Sequence, residues 1–423
     1  MTVQKENCGH EDSFSSALLD GIISEGARDF FKSAPDDCIA LLLTGSVARE
    51  EGSFLLNSNG CISNMGDVEF LLVSEAGARG NAVAKEFEIR LKDLLADSGI
   101  ESDVDVGYVR PDYFGRLKPH IFGVELKAHA KVLAGDESIV EMIPELSAKD
   151  IPRWDGINLL FNRMVEQIMR LDGLINGGAE DIRRAHYHNI KLTLDIAGSL
   201  LVFQGSYRTT YLERTRVIGQ AVAGIDHALT RETLSGLAVK LKEWTSIKLN
   251  PSSDEILSWN GEAAKTEEYR ERTLKRWLEL VRMVKSLWTW EMNNYLGGSW
   301  SDDTETLLKR YQKREGLTSR ARGWAKWVSR LRKNGAVPYA SLLKLFPIGS
   351  PRALIYASAA LLYFSLPSLL EESALEKNED SIWKENAKRA GELLPGFSEA
   401  IAADWTSLCA NVTGSWEEHV KNG

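Results

Sequence analysis

Short apolar runs punctuate the first third of the chain. CIALLL (38–43) and VEFLLV (68–73) are continuous and of strand length, the pattern of strands buried on both faces. SDVDVGYV (102–109) alternates strictly instead, so a third strand is predicted there with one polar face. Between the strands, residues 80–97 place Val83, Phe87, Leu91, Leu94 and Leu95 on one side of a helix, and residues 14–33 read as another. Helices between strands predict an α/β or α+β domain around a small mixed sheet. After residue 150 the strand pattern fades. Residues 156–175, 181–203, 266–296 and 351–372 are apolar at helical spacing, separated by Gly and Pro. The expectation is a first domain over 1–150 and an all-α helical bundle over 151–423, with a sub-boundary near 297–301.

Composition sharpens that boundary. Residues 1–150 hold 14 Lys/Arg against 27 Asp/Glu, a net of −13, while the remainder holds 37 against 33, a net of +4. All 12 tryptophans lie between Trp154 and Trp416. A chain of 423 residues exceeds one ordinary core, which again points to two domains. The longest apolar run, LIYASAALLYF (354–364), is too short to span a bilayer. The first sixteen residues are polar, so no signal peptide is expected, and Cys8, Cys38, Cys61 and Cys409 have no metal-site spacing. A reducing, cytoplasmic setting is the expectation.

Two acids at every other position of one strand need an explanation. Asp67 and Glu69 project from the same face while Val68 points the other way. Asp103 and Asp105 do the same on the strand at 102–109. Three carboxylates from two neighbouring strands repel one another unless cations lie between them, and hard oxygen ligands suit Mg²⁺. A pair of Mg²⁺ ions bridged by carboxylates is the usual clamp for in-line phosphoryl transfer. The first strand runs straight into Gly45-Ser46 and then VAREE, a short helix start at which backbone N–H groups can cradle phosphate.

These three elements, LLLTGS (41–46), DVEF (67–70) and VDV (104–106), resemble the DNA polymerase β-like nucleotidyltransferase superfamily, bacterial small-substrate type. The resemblance covers about residues 38–136 and closes on KVLAGD (131–136). It implies a Mg²⁺-dependent transfer of a nucleoside monophosphate from an NTP, ATP first among candidates, to a hydroxyl of a small acceptor, with release of pyrophosphate. By position, Gly45 and Ser46 would hold the triphosphate, with Arg49 beside them. Asp67 and Glu69 would bind both metals. Asp105 would be the third metal ligand or the base for the acceptor. Helices at 155–168 and 191–214 are similar to those behind the catalytic domain in such enzymes, which makes Asn162, Arg163, Lys191, Asp195, Tyr207, Tyr211 and Arg214 candidate nucleotide- or acceptor-facing residues.

The pattern departs from the family in three places. The step from Ser46 to Asp67 is long, and residues 54–66 read as an inserted hairpin turning at Asn59-Gly60. A second Gly-Ser stands at 52–53, without a buried strand before it. Asp103 and Asp105 share a face, so either can be the third acid, Asp105 being preferred between Val104 and Val106. Lys191 and Asp195, four apart, also suit a plain helix-surface ion pair. His186 and His188, two apart on a helix, do not share a face and do not suggest a metal site. Finally, residues 309–335 hold ten Lys/Arg and one acid, Glu315, interleaved with Tyr311, Trp324 and Trp327. That composition suits a phosphate backbone, an anionic membrane surface or a solvated face. The rival functions are therefore a non-catalytic nucleotide or RNA binder that keeps the fold, and nucleotidylation of RNA or protein.

Overall fold

The computed structural model describes residues 8–56, 61–300, 302–334, 339–372, 382–394 and 405–421. It is a mixed α+β structure with one small sheet and many helices, divided into two compact units. The first comprises Met1–Asp155 with Gln204–Ala221 and Leu237–Asn260; the second comprises the remainder. The segments 204–221 and 237–260, which the sequence pattern assigned to the helical domain, belong to the first unit. Their charged residues explain why, since Arg214 and Lys248 bond groups of the first unit (below).

The first unit begins with α1 (Cys8–Ser33), β1 (Cys38–Thr44), the single turn α2 (Gly45–Ala48), β2 (Phe54–Leu56) and β3 (Ile62–Ser74). It continues through α3 (Gly80–Asp97), β4 (Ile100–Val109), α4 (Asp112–Gly115), α5 (Ile121–His129) and β5 (Lys131–Gly135). The sheet runs β2-β3-β1-β5, with β4 on β3. All pairs are antiparallel except β3–β4, which the helix α3 connects as a parallel crossover. The expected hairpin over 54–66 forms, with Leu56 paired to Ile62, and its Asn59-Gly60 turn lies outside the described residues.

Both faces of the sheet are covered. Leu41, Leu43, Val68, Phe70, Leu72 and Val104 pack against Leu19, Ile23 and Phe30 of α1 and Phe87, Leu91 and Leu95 of α3. The opposite face buries Ala40, Leu42, Leu71 and Val73 against Phe114, Leu117, Leu126, Ile139 and Ile143. The central strand is thus apolar on both sides at its C-terminal end, as a continuous apolar run requires. Its N-terminal end differs: on the second face the residues before Leu71 are Glu69 and Asp67. Gly135 closes the unit's sheet. Its φ is +90°, and a Cβ there would lie 2.1 Å from the Ile39 carbonyl oxygen. Asp136 then caps the next turn, its Oδ1 accepting the Ser138 N–H at 2.9 Å. Of the LAGD tetrapeptide, Gly135 and Asp136 make this turn, while Leu133 and Ala134 belong to β5.

Further along the chain come α6 (Arg153–Asn176), α7 (Ala179–Phe203), α8 (Tyr211–Ala223), α9 (Ala228–Thr233), α10 (Leu237–Leu249) and α11 (Thr266–Leu296). After them come α12 (Thr304–Arg314), α13 (Leu317–Asn334), α14 (Tyr339–Leu345), α15 (Pro351–Glu372), α16 (Ile382–Leu393) and α17 (Trp405–Trp416). The second unit is a helical assembly in which α7 and α11 are buried along much of their length, and α15 contributes Leu354, Ile355, Tyr356 and Tyr363 to the core. Among the described residues no helix is long and apolar enough to cross a membrane.

Candidate functional site

The acidic face forms by register. In the parallel pair, Asp67 stands beside Asp103 and Glu69 beside Asp105, with the buried Val68–Val104 pair pointing the other way between them. Four carboxylates therefore share one face of two adjacent strands, so register does not separate Asp103 from Asp105. Asp67 and Glu69 are half-buried, and Asp103 and Asp105 are exposed. The side chains of Asp67, Asp103 and Asp105 make no hydrogen bond or ion pair among the described residues. Like charges directly opposite in a sheet are destabilising.

Gly45 sits against the same face. Thr44 pairs with Glu69 across β1 and β3, and its Oγ1 donates to the Glu69 carbonyl at 3.2 Å. Gly45 then turns with φ +68°, and a Cβ at that position would lie 1.6 Å from Glu69 Oε2. Only glycine accommodates both the backbone and the carboxylate here. Ser46 is half-buried, and its hydroxyl makes no hydrogen bond among the described residues. The second Gly-Ser is different in kind, because Ser53 is fully buried and exchanges bonds with Lys248.

The donor set has the chemistry of a Mg²⁺ site: oxygen only, anionic, on one face. Among the described residues, however, no three His, Cys, Asp or Glu side chains are drawn together as a metal-binding group. The carboxylates share the face without closing on one point.

Behind the Gly-Ser turn lies a buried charged network that the sequence did not reveal. Arg49 donates to Glu51 Oε2 at 3.2 Å and to Glu125 Oε2 at 2.7 Å. Glu125 Oε1 also accepts from Arg214 at 2.8 Å and from the Tyr207 hydroxyl at 2.6 Å. The guanidinium of Arg214 lies over the rings of Tyr207 and Tyr211 at 4.7 and 4.9 Å. Glu51 Oε1 accepts the Tyr211 N–H at 2.6 Å, and Lys248 Nζ donates to the Glu51 carbonyl at 3.0 Å and to Ser53 Oγ at 2.6 Å. Burial opposes the charge on Arg49, but Glu125, Tyr211, Glu51 and Tyr207 together outweigh it and hold the guanidinium above its ordinary value. Burial drives the Tyr207 phenol well above its ordinary value. Arg49, Tyr207 and Arg214 are thus brought together, as anchors of the loop that carries Glu50 at φ +61°. Glu125 stands 76 residues from Arg49, and Lys248 stands 195 from Ser53. No local pattern links such positions.

The remaining candidates lie in the second unit, at two places. Arg163 pairs with Glu166 and Asp195, and His188 Nδ1 lies 3.2 Å from Glu166. Burial pushes the His188 imidazole down to about 4, so it is neutral at pH 7. Lys191 sits 6.0 Å from the Tyr187 ring centroid. The partner of Asp195 is therefore Arg163, reached across two helices, rather than Lys191 along one. Asn162 is separate, its Oδ1 accepting from the Tyr356 hydroxyl at 2.7 Å and the Trp416 indole at 3.0 Å. No protein-family model matches the chain, and no curated protein matches it significantly.

Proposed function

We propose that the first unit is a nucleotidyltransferase-type catalytic domain, which moves a nucleoside monophosphate from an NTP, ATP first among candidates, to a hydroxyl of a small acceptor. One observation carries this reading: Asp67, Glu69 and Asp105 occupy one face of a parallel strand pair, with the Glu69 carboxylate seated in the space a Gly45 side chain would fill. Asp67, Glu69 and Asp105 would have to draw together from the face they share to hold Mg²⁺, which when bound would neutralise the triphosphate and the charge that develops on transfer. The Glu69 carboxylate fills the space beside Gly45, so the triphosphate would meet this turn at its backbone N–H groups and at the Ser46 hydroxyl, which makes no hydrogen bond among the described residues. In the reaction the acceptor oxygen bonds to the α-phosphorus, the bond from that phosphorus to the β-bridging oxygen breaks, and pyrophosphate leaves. The acceptor's hydroxyl proton passes to a carboxylate of the acidic face, Asp105 or its exposed neighbour Asp103, whichever does not hold the metal. Arg49, Glu125 and Arg214 position the loop after Ser46.

The test is thermal stability of the full chain with each of four NTPs, in Mg²⁺ and in EDTA. Ligand that binds the native state alone raises the midpoint. A rise with NTP plus Mg²⁺ that collapses in EDTA is expected, and pyrophosphate release with pooled small acceptors should follow. Equal stabilisation in both conditions would sink the carboxylate–metal reading.

A further inference from the structure

The basic stretch at 309–334 divides sharply once folded. Trp324 and Trp327 are each only 2% exposed, so neither ring is a platform for stacking bases. Arg320 is buried too, donating to the carbonyls of Pro347 at 2.9 Å and Gln312 at 3.2 Å. Lys309 and Arg310 pair with Glu305 and Asp302, Arg314 bonds the Tyr295 carbonyl, Lys313 and Arg332 are exposed, and Arg322, Lys326 and Arg330 form one stripe of α13, four residues apart. On other helices, cations at this spacing face acids: Arg184 meets Glu180, Arg272 meets Glu268, Lys309 meets Glu305, and Arg389 meets Glu385. Arg322 and Lys326 have no such partner among the described residues, and Arg330 bonds the Glu418 carbonyl at 2.5 Å. Like charges at this spacing repel.

A pocket of about 230 Å³ opens on this stripe. Its lining includes the start of α15, where the Ser350 hydroxyl caps the Ala353 N–H at 3.3 Å and Arg352 adds a fourth cation. Arg352 is exposed and makes no ion pair among the described residues. The N-terminus of a 22-residue helix adds positive potential. Glu315 is the one carboxylate in the lining, which leaves a net of three positive charges with His419 neutral. Trp327 and His419 also line the pocket, and Trp327 Nε1 and His419 Nδ1 are buried without a partner among the described residues. The volume is too small for a stacked oligonucleotide and suits a compact ligand with two to four negative charges.

We propose that this pocket binds a compact phosphate-bearing anion of pyrophosphate or phosphate-monoester class, held between Arg322, Lys326 and Arg352. The inference does not depend on nucleotidyl transfer in the first unit. The experiment is calorimetric titration of the full chain with pyrophosphate in EDTA, which silences any carboxylate–metal site, at an ionic strength fixed with KCl. One saturable site is expected, with inorganic phosphate competing more weakly. Arg322→Ala and Lys326→Ala should each weaken it about tenfold, the scale of one lost charge-assisted hydrogen bond. Asp67→Asn should leave it unchanged. If either alanine variant fails to fold, Arg352→Gln reads the same loss from an exposed side chain. Absence of saturable binding, binding indifferent to these substitutions, or tighter binding of a single-stranded oligoribonucleotide through the same residues would each overturn the proposal.

Discussion

Gly45 is the residue on which the acidic site turns. Its backbone is left-handed and its missing side chain is occupied by Glu69 Oε2. Gly45→Ala therefore imposes two penalties: a strained φ worth about 1–2 kcal/mol, and displacement of the Glu69 carboxylate. Stability should fall by that order in chemical denaturation, and Mg²⁺-dependent nucleotide stabilisation should be lost altogether. Ser46→Ala should do less, because its backbone N–H survives. A different residue governs pH dependence in the second unit. Glu291 is fully buried, accepts from Ser199 Oγ at 2.7 Å, and is pushed by burial up to about 8. A raised folded pKa means that its stabilising contribution is complete below about 4.5 and is lost as pH rises through about 8. Glu291→Gln cannot titrate, so the variant should escape a loss on the order of 3 kcal/mol between pH 5 and 8. Denaturant midpoints at pH 5, 6.5 and 8 check this; parallel profiles for parent and variant would refute it. His188, held down to about 4, works in the opposite sense, its contribution present above about 6.5 and lost as pH falls toward 4.

At the scale of elements, legibility follows period and sequence distance. The strands at Cys38–Thr44, Ile62–Ser74 and Ile100–Val109 and the helix at Gly80–Asp97 were visible because each carries its burial in its own residues. Asp67, Glu69 and Asp105 were visible for the same reason, since alternation places them on one face before any pairing is known. β5 was not visible as a strand, because its five residues are half-buried or exposed and carry no periodic pattern. Nor was the grouping of residues 204–221 and 237–260, which turns on Glu125 and Glu51 meeting Arg214, Tyr211 and Lys248 from distant parts of the chain. That network makes its own prediction. Glu125 answers two buried guanidiniums and a phenol, and removing it leaves Arg49 and Arg214 without their shared partner. Breaking such a pair from one side costs about 3–5 kcal/mol. Glu125→Gln should destabilise the protein by roughly that amount, measured by denaturant unfolding. A change below about 1 kcal/mol would show the network to be a solvated cluster rather than an anchor.

At the scale of the whole molecule, the charge imbalance read from composition acquires two locations. The net of −13 in the first 150 residues includes four carboxylates on one strand pair, and the positive remainder includes the α13 stripe with its neighbouring Arg352. Each is a concentration of like charge without internal partners for most of its members. Each should therefore respond to a ligand of opposite sign, and the two responses should separate in one chain. Asp67→Asn removes one of two carboxylates that face each other in register. Without ligand it should leave the thermal midpoint unchanged or raise it, because opposed like charges cost up to about 1 kcal/mol. With NTP and Mg²⁺ the same variant should show none of the parent's stabilisation, since the anionic clamp is incomplete. Its midpoint in pyrophosphate and EDTA should still rise as the parent's does. If Asp67→Asn instead lowers the ligand-free midpoint by several degrees, the acidic face is a structural feature held by partners of its own. The nucleotidyl-transfer reading then loses its basis, while the anion pocket of the second unit stands or falls on its own titration.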